Sequence, residues 1–299
     1  RTTRAVPPPS TVVDMTDWLD AHGGVKGNVA EGFEPVARAF VDNFAERNET
    51  GASVCVYVNG LPVVDLWGGT ANHKTNEPWR QESATVVFST TKGAAAICVA
   101  MLAQQGKLDY DAPVATYWPE FATQGKEHIT VGQLMSHQAG LAYVDPPLPL
   151  EEILKVTPVV EALADQAPLW EPGTKHGYHA LTFGWLAGEL VRRVDGRTIG
   201  RYFAEEVAGP LGLDFWIGLP EDQEWRVARL RGAPRPTGEA LDLMRKIAGR
   251  GTMGARALQM DGAFAPVDGV DPFKTRSVRA SEVPAANGVT NAASVARMY

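Results

Sequence analysis

Cysteine is almost absent from this 299-residue chain: Cys55 and Cys98 are the only two, each inside an apolar run. Two thiols without His or Cys at ligand spacing exclude a structural zinc centre, and they are too few for a disulfide framework. They read as small buried hydrophobes in a reducing, cytoplasmic setting. Basic blocks are missing too, and a net charge of −7 excludes nucleic acid as the main partner. No apolar run reaches the roughly 20 residues needed to span a membrane. Residues 1–10 hold two arginines and three prolines but no apolar core, so no signal peptide is read there, although the chain does not begin with Met. There is no Gly-x-Ser-x-Gly elbow, no Gly-x-x-x-x-Gly-Lys phosphate loop and no His-Glu-x-x-His zinc motif. These absences exclude an α/β-hydrolase, a phosphate-loop nucleotide site and a zinc peptidase, and no metal or cofactor is expected.

What is present is an ordinary globular composition, 44% hydrophobic and 21% charged, with length for one large domain or two interleaved ones. The Pro7-Pro8-Pro9 run marks an N-terminal leader, taken as residues 1–25. Phe33, Val36, Phe40 and Phe44 recur at helical spacing and predict a helix over Glu34–Arg47, with Pro35 tolerated in its first turn. Ala52–Val58 and Pro62–Trp67 predict a hairpin around Asn59-Gly60, ended by Gly68-Gly69. Thr130-Val131-Gly132-Gln133 is a capping box. Further helices are expected over Glu151–Ala164, Leu181–Val194, Thr198–Val207 and Glu239–Ala248. Residues 221–270 otherwise carry weak signals, those of a lid or of a surface insertion. Asn291–Tyr299 reads as a helix just begun, with an Asn cap and no C-cap. Sequence beyond Tyr299 is therefore expected, and with it the strands that a lone hairpin needs.

The stretch from Val86 to Leu102 is the most informative. From Ala94 onward it is apolar on every side, as in a helix enclosed by protein. Ser89 and Lys92 lie three apart in its first turn and so share a face. Burial and the positive helix end both disfavour a charged Lys92, and a neutral amine beside a hydroxyl is a general base. The alternative is an N-capping serine whose lysine reaches out to water. Tyr178, in a Gly-flanked loop before a buried helix, is either a proton carrier or a packed ring. His137 fits a hydrogen-bonded structural role, and the pair His176/His179 has no clear acidic partner.

Three segments stand in matching order: Ser89-Thr90-Thr91-Lys92, Leu134–Leu141 and Tyr178–Trp185. Together with Val63–Gly69 and Gly209–Leu213, they resemble the serine hydrolases related to class C β-lactamases, and most of all family VIII carboxylesterases. The resemblance covers about Gly32 to Tyr299. It implies an α+β, β-lactamase/transpeptidase-like fold: an antiparallel sheet flanked by helices, beside a mostly helical domain. The implied division is 26–88 with 271–299 as the α/β domain, incomplete in this chain, and 89–270 as the helical one. It also implies Ser89 as nucleophile and oxyanion donor through its backbone N–H, Lys92 as activating partner, and Tyr178 as proton shuttle. Phe88 and His179 are taken as substrate contacts. The family's β-lactamases usually carry Asn two residues after the tyrosine; Ala180 stands there, which favours esters. The family's third motif, Lys-Thr-Gly or His-x-Gly, is not found and is expected after Tyr299. The implied function is hydrolysis of a short-chain, small-molecule carboxylic ester through an acyl-enzyme. The alternatives are β-lactamase or D-alanyl peptidase activity, acyl transfer, and a catalytically silent binding or scaffold protein.

Overall fold

The computed structural model describes residues 12–13, 15–21, 24–232, 236–249 and 251–299. Much of the leader expected over residues 1–25 lies outside the described residues. Within it, Val12–Val13 (β1) pairs with Lys26–Ala30 (β2), and Thr16–Ala21 is a short helix.

The expected hairpin is present as Gly51–Val58 (β3) and Leu61–Asn72 (β4), with Val54 opposite Leu66 and Cys55 opposite Asp65. Asn59 and Gly60 both take positive φ, +53° and +77°, the turn that matches strand twist. Gly68-Gly69 does not end β4, which runs on through both. A Cβ on Gly68 would lie 2.8 Å from Val25, and one on Gly69 2.6 Å from Phe44, so the pair admits close packing. The other edge of β4 takes β2, while Glu77–Pro78 (β5) pairs with its far end. The order is β1-β2-β4-β3, antiparallel throughout.

Glu34–Glu46 (α1) covers this sheet, burying Ala37, Phe40 and Val41 on Val29, Val64 and Leu66. A second sheet joins distant parts of the chain: Thr85–Val86 (β6), Phe215–Trp216 (β7) and Val289–Thr290 (β8), in the order β6-β8-β7. The larger core is helical. Thr91–Gln104 (α2) packs against Thr182–Asp195 (α3), and the small Ala94, Ala95 and Cys98 share one core with the bulky Phe183, Trp185 and Leu186. The antiparallel sheets and many helices make the fold α+β, as expected.

The helix expected over Glu151–Ala164 is two: Leu150–Ile153 and Thr157–Asp165, with Val156 between them at φ +69°. Pro158 has no N–H for the preceding turn, so the helix must restart with proline in its first turn. In the 221–270 region, Gly238–Ala248 (α4) buries no residue, and Met253–Gln259 (α5) buries only Ala257. Ala292–Met298 (α6) begins at an Asn291 cap and lies on β3. Both thiols are free; burial pushes Cys55 up to about 11 and Cys98 up to about 12. Among the described residues no helix is long and apolar enough to cross a membrane.

Candidate active site

Between β6 and α2 the chain makes one tight turn, Phe88–Thr90, so Ser89 stands just before the α-helix rather than within it. Phe88 holds a left-handed φ of +44°, a costly conformation for a residue with a Cβ. Two clamps keep it there. Thr91 Oγ1 donates to the Phe88 carbonyl at 2.6 Å and accepts from Gly288 N at 2.9 Å. Val87 N donates to the Gly288 carbonyl at 2.9 Å. A Cβ on Gly288 would lie 2.6 Å from Thr91 Oγ1, so a larger residue would open the clamp.

Lys92 Nζ lies 2.7 Å from the Ala180 carbonyl oxygen, 3.0 Å from the Ala285 carbonyl oxygen and 3.2 Å from Ser89 Oγ. Carbonyl oxygens only accept. A neutral amine has two N–H groups and one lone pair, so the two carbonyls can take both protons and leave the lone pair for Ser89. Burial lowers the Lys92 pKa, against an opposing pull from Tyr178. The Tyr178 hydroxyl lies 2.7 Å from Ser89 Oγ, and its ring centroid 4.8 Å from Lys92 Nζ. Burial alone would raise the Tyr178 pKa; hydrogen bonds to Ser89 and Lys92 and the lysine charge outweigh it, so the net shift is downward. Ser89, Lys92 and Tyr178, three residues singled out from the sequence, are thus brought together.

The loop carrying Tyr178 is held by two histidines. His179 is fully buried: Leu141 N donates to its Nε2 at 2.9 Å, which leaves the proton on Nδ1 for the Gly177 carbonyl at 2.5 Å. Its ring therefore faces protein, not the open cleft. His137, at φ +63°, accepts from His179 N through Nδ1 at 3.2 Å and packs 5.3 Å from the Tyr178 ring. Burial brings both imidazoles down to about 4, so both are neutral at physiological pH. Phe88 is exposed and stacks edge-on against Phe273 at 5.2 Å.

Sequence reasoning missed the segment 283–288, which supplies the Ala285 carbonyl. Its shape comes from Asn287, wholly buried, which accepts from Val283 N and donates to the Val278 and Ser281 carbonyls. A Cβ on Gly184 would lie 2.4 Å from Ala285 N, so the start of α3 seats directly on it. The only sequence signal was the run of small residues Ala285-Ala286-Asn287-Gly288. The Ala180 side chain is buried with Ala142, Tyr143 and Ala257, and its carbonyl is the group that meets Lys92. Among the described residues no group of three or more His, Cys, Asp or Glu is arranged to hold a metal.

A family model described as beta-lactamase matches residues 36–299. The esterase/beta-lactamase LipL of Mycobacterium tuberculosis is 40% identical over 291 residues, which are 96% of this chain and 66% of that protein. The crystal structure of a family VIII carboxylesterase aligns at 39% identity with a TM-score of 0.78, covering 89% of this chain and 68% of that one. EstA from Arthrobacter nitroguajacolicus Rue61a aligns at 38% identity with a TM-score of 0.76, covering 91% of this chain and 68% of that one. The chain thus spans 66–68% of the length of these relatives.

Proposed function

The chain belongs to the beta-lactamase family, and from that premise we propose that it is a serine hydrolase cleaving short-chain carboxylic esters through an acyl-enzyme. The observation that carries this reading is the placement of Ser89 Oγ within hydrogen-bond distance of both an amine and a phenol. Neutral Lys92 takes the Ser89 proton as Oγ attacks the ester carbonyl carbon. The tetrahedral oxyanion is met by the Ser89 backbone N–H, in a first turn where N–H groups lack helical partners. Collapse breaks the bond to the alcohol oxygen, which leaves with the Tyr178 proton; Lys92 returns its proton to Tyr178. Water then gives a proton to the same pair, attacks the acyl carbon and frees the acid and Ser89. Phe88, exposed beside the nucleophile, is the substrate contact.

The name of the 40%-identical relative couples esterase with beta-lactamase. Esters are preferred here because the small Ala180 side chain is buried and offers no amide to a β-lactam. In this reading residues 26–88 with 271–299 and residues 89–270 act as two units meeting at the site. The free thiols fit a cytoplasmic location. The experiment is mass spectrometry after a serine-directed phosphonate, with hydrolysis of p-nitrophenyl butyrate and a chromogenic cephalosporin in parallel. A mass shift on Ser89 with faster ester turnover is expected. A folded chain that takes no adduct sinks the proposal, and faster cephalosporin turnover reverses the preference.

A further inference from the structure

A cavity of about 370 Å³ lies between the 227–230 and 269–279 segments, with Val86 of β6, three residues before Ser89, in its wall. That volume falls within the range of small-ligand sites. Val86, Leu230 and Phe273 form an apolar wall, and Phe273 is the ring that packs against Phe88, next to Ser89. The charged part of the lining is basic on balance. Arg229, Lys274 and Arg279 share the lining with a single carboxylate, Glu224; three cations against one anion give the lining a charge of +2, in a protein whose net charge is −7.

Glu224 is already engaged, with Arg279 at 2.6 Å and Arg276 at 3.2 Å. Nearby Arg226 is held by Asp214. Arg229 and Lys274 have no acidic partner among the described residues. Two uncompensated cations beside an apolar wall suit an anion with an apolar body. A carboxylate there gains charge-assisted hydrogen bonds, strengthened by the low-dielectric wall.

We propose that this cavity receives the far end of the acyl chain, and that the preferred substrates are monoesters of short dicarboxylic acids. The free carboxylate lies toward Arg229 and Lys274 while the ester carbonyl lies at Ser89. This rests on the ester-hydrolase reading above. The distal carboxylate takes no part in bond changes: Ser89 displaces the alcohol, and water then releases the dicarboxylic acid. A neutral chain of equal length fills the apolar wall and leaves both cations without a counter-charge.

Calorimetry with monomethyl glutarate tests it on the full chain. Binding is measured to Ser89→Ala, which cannot consume the ligand, and to the same chain carrying Arg229→Gln and Lys274→Met. A loss of about 10- to 100-fold is expected, the scale of hydrogen bonds to charged groups. Equal affinity in both, or binding to neither, overturns the proposal. In the otherwise native chain, KM for p-nitrophenyl monoglutarate is compared with KM for p-nitrophenyl valerate. The ratio is expected to favour the acid-terminated ester, to collapse in Arg229→Gln/Lys274→Met, and to persist in Lys274→Arg. A ratio unmoved by the double substitution overturns the pocket as its source. Phosphonate labelling of Ser89 is independent of these side chains. A missing adduct therefore marks failure of the hydrolase reading, and an adduct without a charge preference marks failure of the pocket.

Discussion

Lys92 and Lys126 are both drawn out of water, both donate to backbone carbonyls and both lie near an aromatic face. Lys126 is fully buried, donates to the Gln166 carbonyl and sits 5.4 Å from the Phe121 ring centroid. Burial pushes its pKa down to about 8, against the pull of Asp165 and Glu127. The hydroxyl nearest to it is committed, since Thr123 Oγ1 donates to the Ala164 carbonyl at 2.8 Å. Among the described residues Ser89 Oγ has no carbonyl partner; its proton faces Lys92 and Tyr178. A lowered amine pKa is therefore common to both regions and does not separate a base from a strut. The neighbouring hydroxyl, and where its proton can go, makes the difference.

The largest effect should come from the hydroxyl itself. Ser89→Ala is expected to lower kcat/KM for p-nitrophenyl butyrate by about 10⁴-fold or more, since loss of a catalytic serine can cost about 10⁶. Lys92→Met should follow closely, while Lys126→Met, checked for native circular dichroism, should keep most of the activity. A folded Lys126→Met chain as inactive as Lys92→Met would erase the distinction. Tyr178→Phe keeps the ring beside Lys92 and removes the proton carrier, at an expected cost of about 10²–10⁴ in kcat. A smaller loss in single-turnover kinetics would leave proton transfer to Lys92 alone.

Stability should show the reverse ranking. Lys126→Ala leaves a cavity and an unpaired Gln166 carbonyl, an expected loss of about 2–4 kcal/mol in urea denaturation. Ser89→Ala, at an exposed position, should stay within about 0.5 kcal/mol. The two lysines also differ in what they contribute to pH dependence. The unfolded Lys126 amine keeps its proton up to 10.5, whereas the folded one releases it at about 8. Between those values the unfolded chain binds more protons, so stability rises with pH. Lys92, also lowered, contributes with the same sign. Lys126→Met should remove part of that rise, seen by denaturation at about pH 7.5 and about pH 10. It should leave intact the rise of kcat/KM with pH through the lowered pKa of Lys92.

Part of this is legible from the side chains in the sequence. Ser89 and Lys92 stood out because a lysine at the head of an all-apolar helix needs a reason, and Tyr178 because its segment followed in the order the resemblance required. The hairpin was readable from Asn59-Gly60. The strand Lys26–Ala30 was not, since Gly27 and Asn28 give no β signal. The Ala285 carbonyl was hidden for a deeper reason: every residue has that group, and only tertiary structure says which one meets an amine. Lys126 was equally silent, a loop lysine whose burial depends on the end of a helix about 40 residues later, at Gln166. The extent of β4 was misjudged because glycines that usually stop a strand here admit Val25 and Phe44.

The two carbonyls on Lys92 also say when the site comes into being. They lie 88 and 193 residues from it along the chain. Contacts of such separation close large loops and form slowly compared with helices. A chain that has regained its helices but not its packing holds Ser89 beside a solvated ammonium ion and has no base. Recovery of esterase activity during refolding should therefore trail the far-ultraviolet signal, and activity should report completed tertiary structure rather than secondary structure.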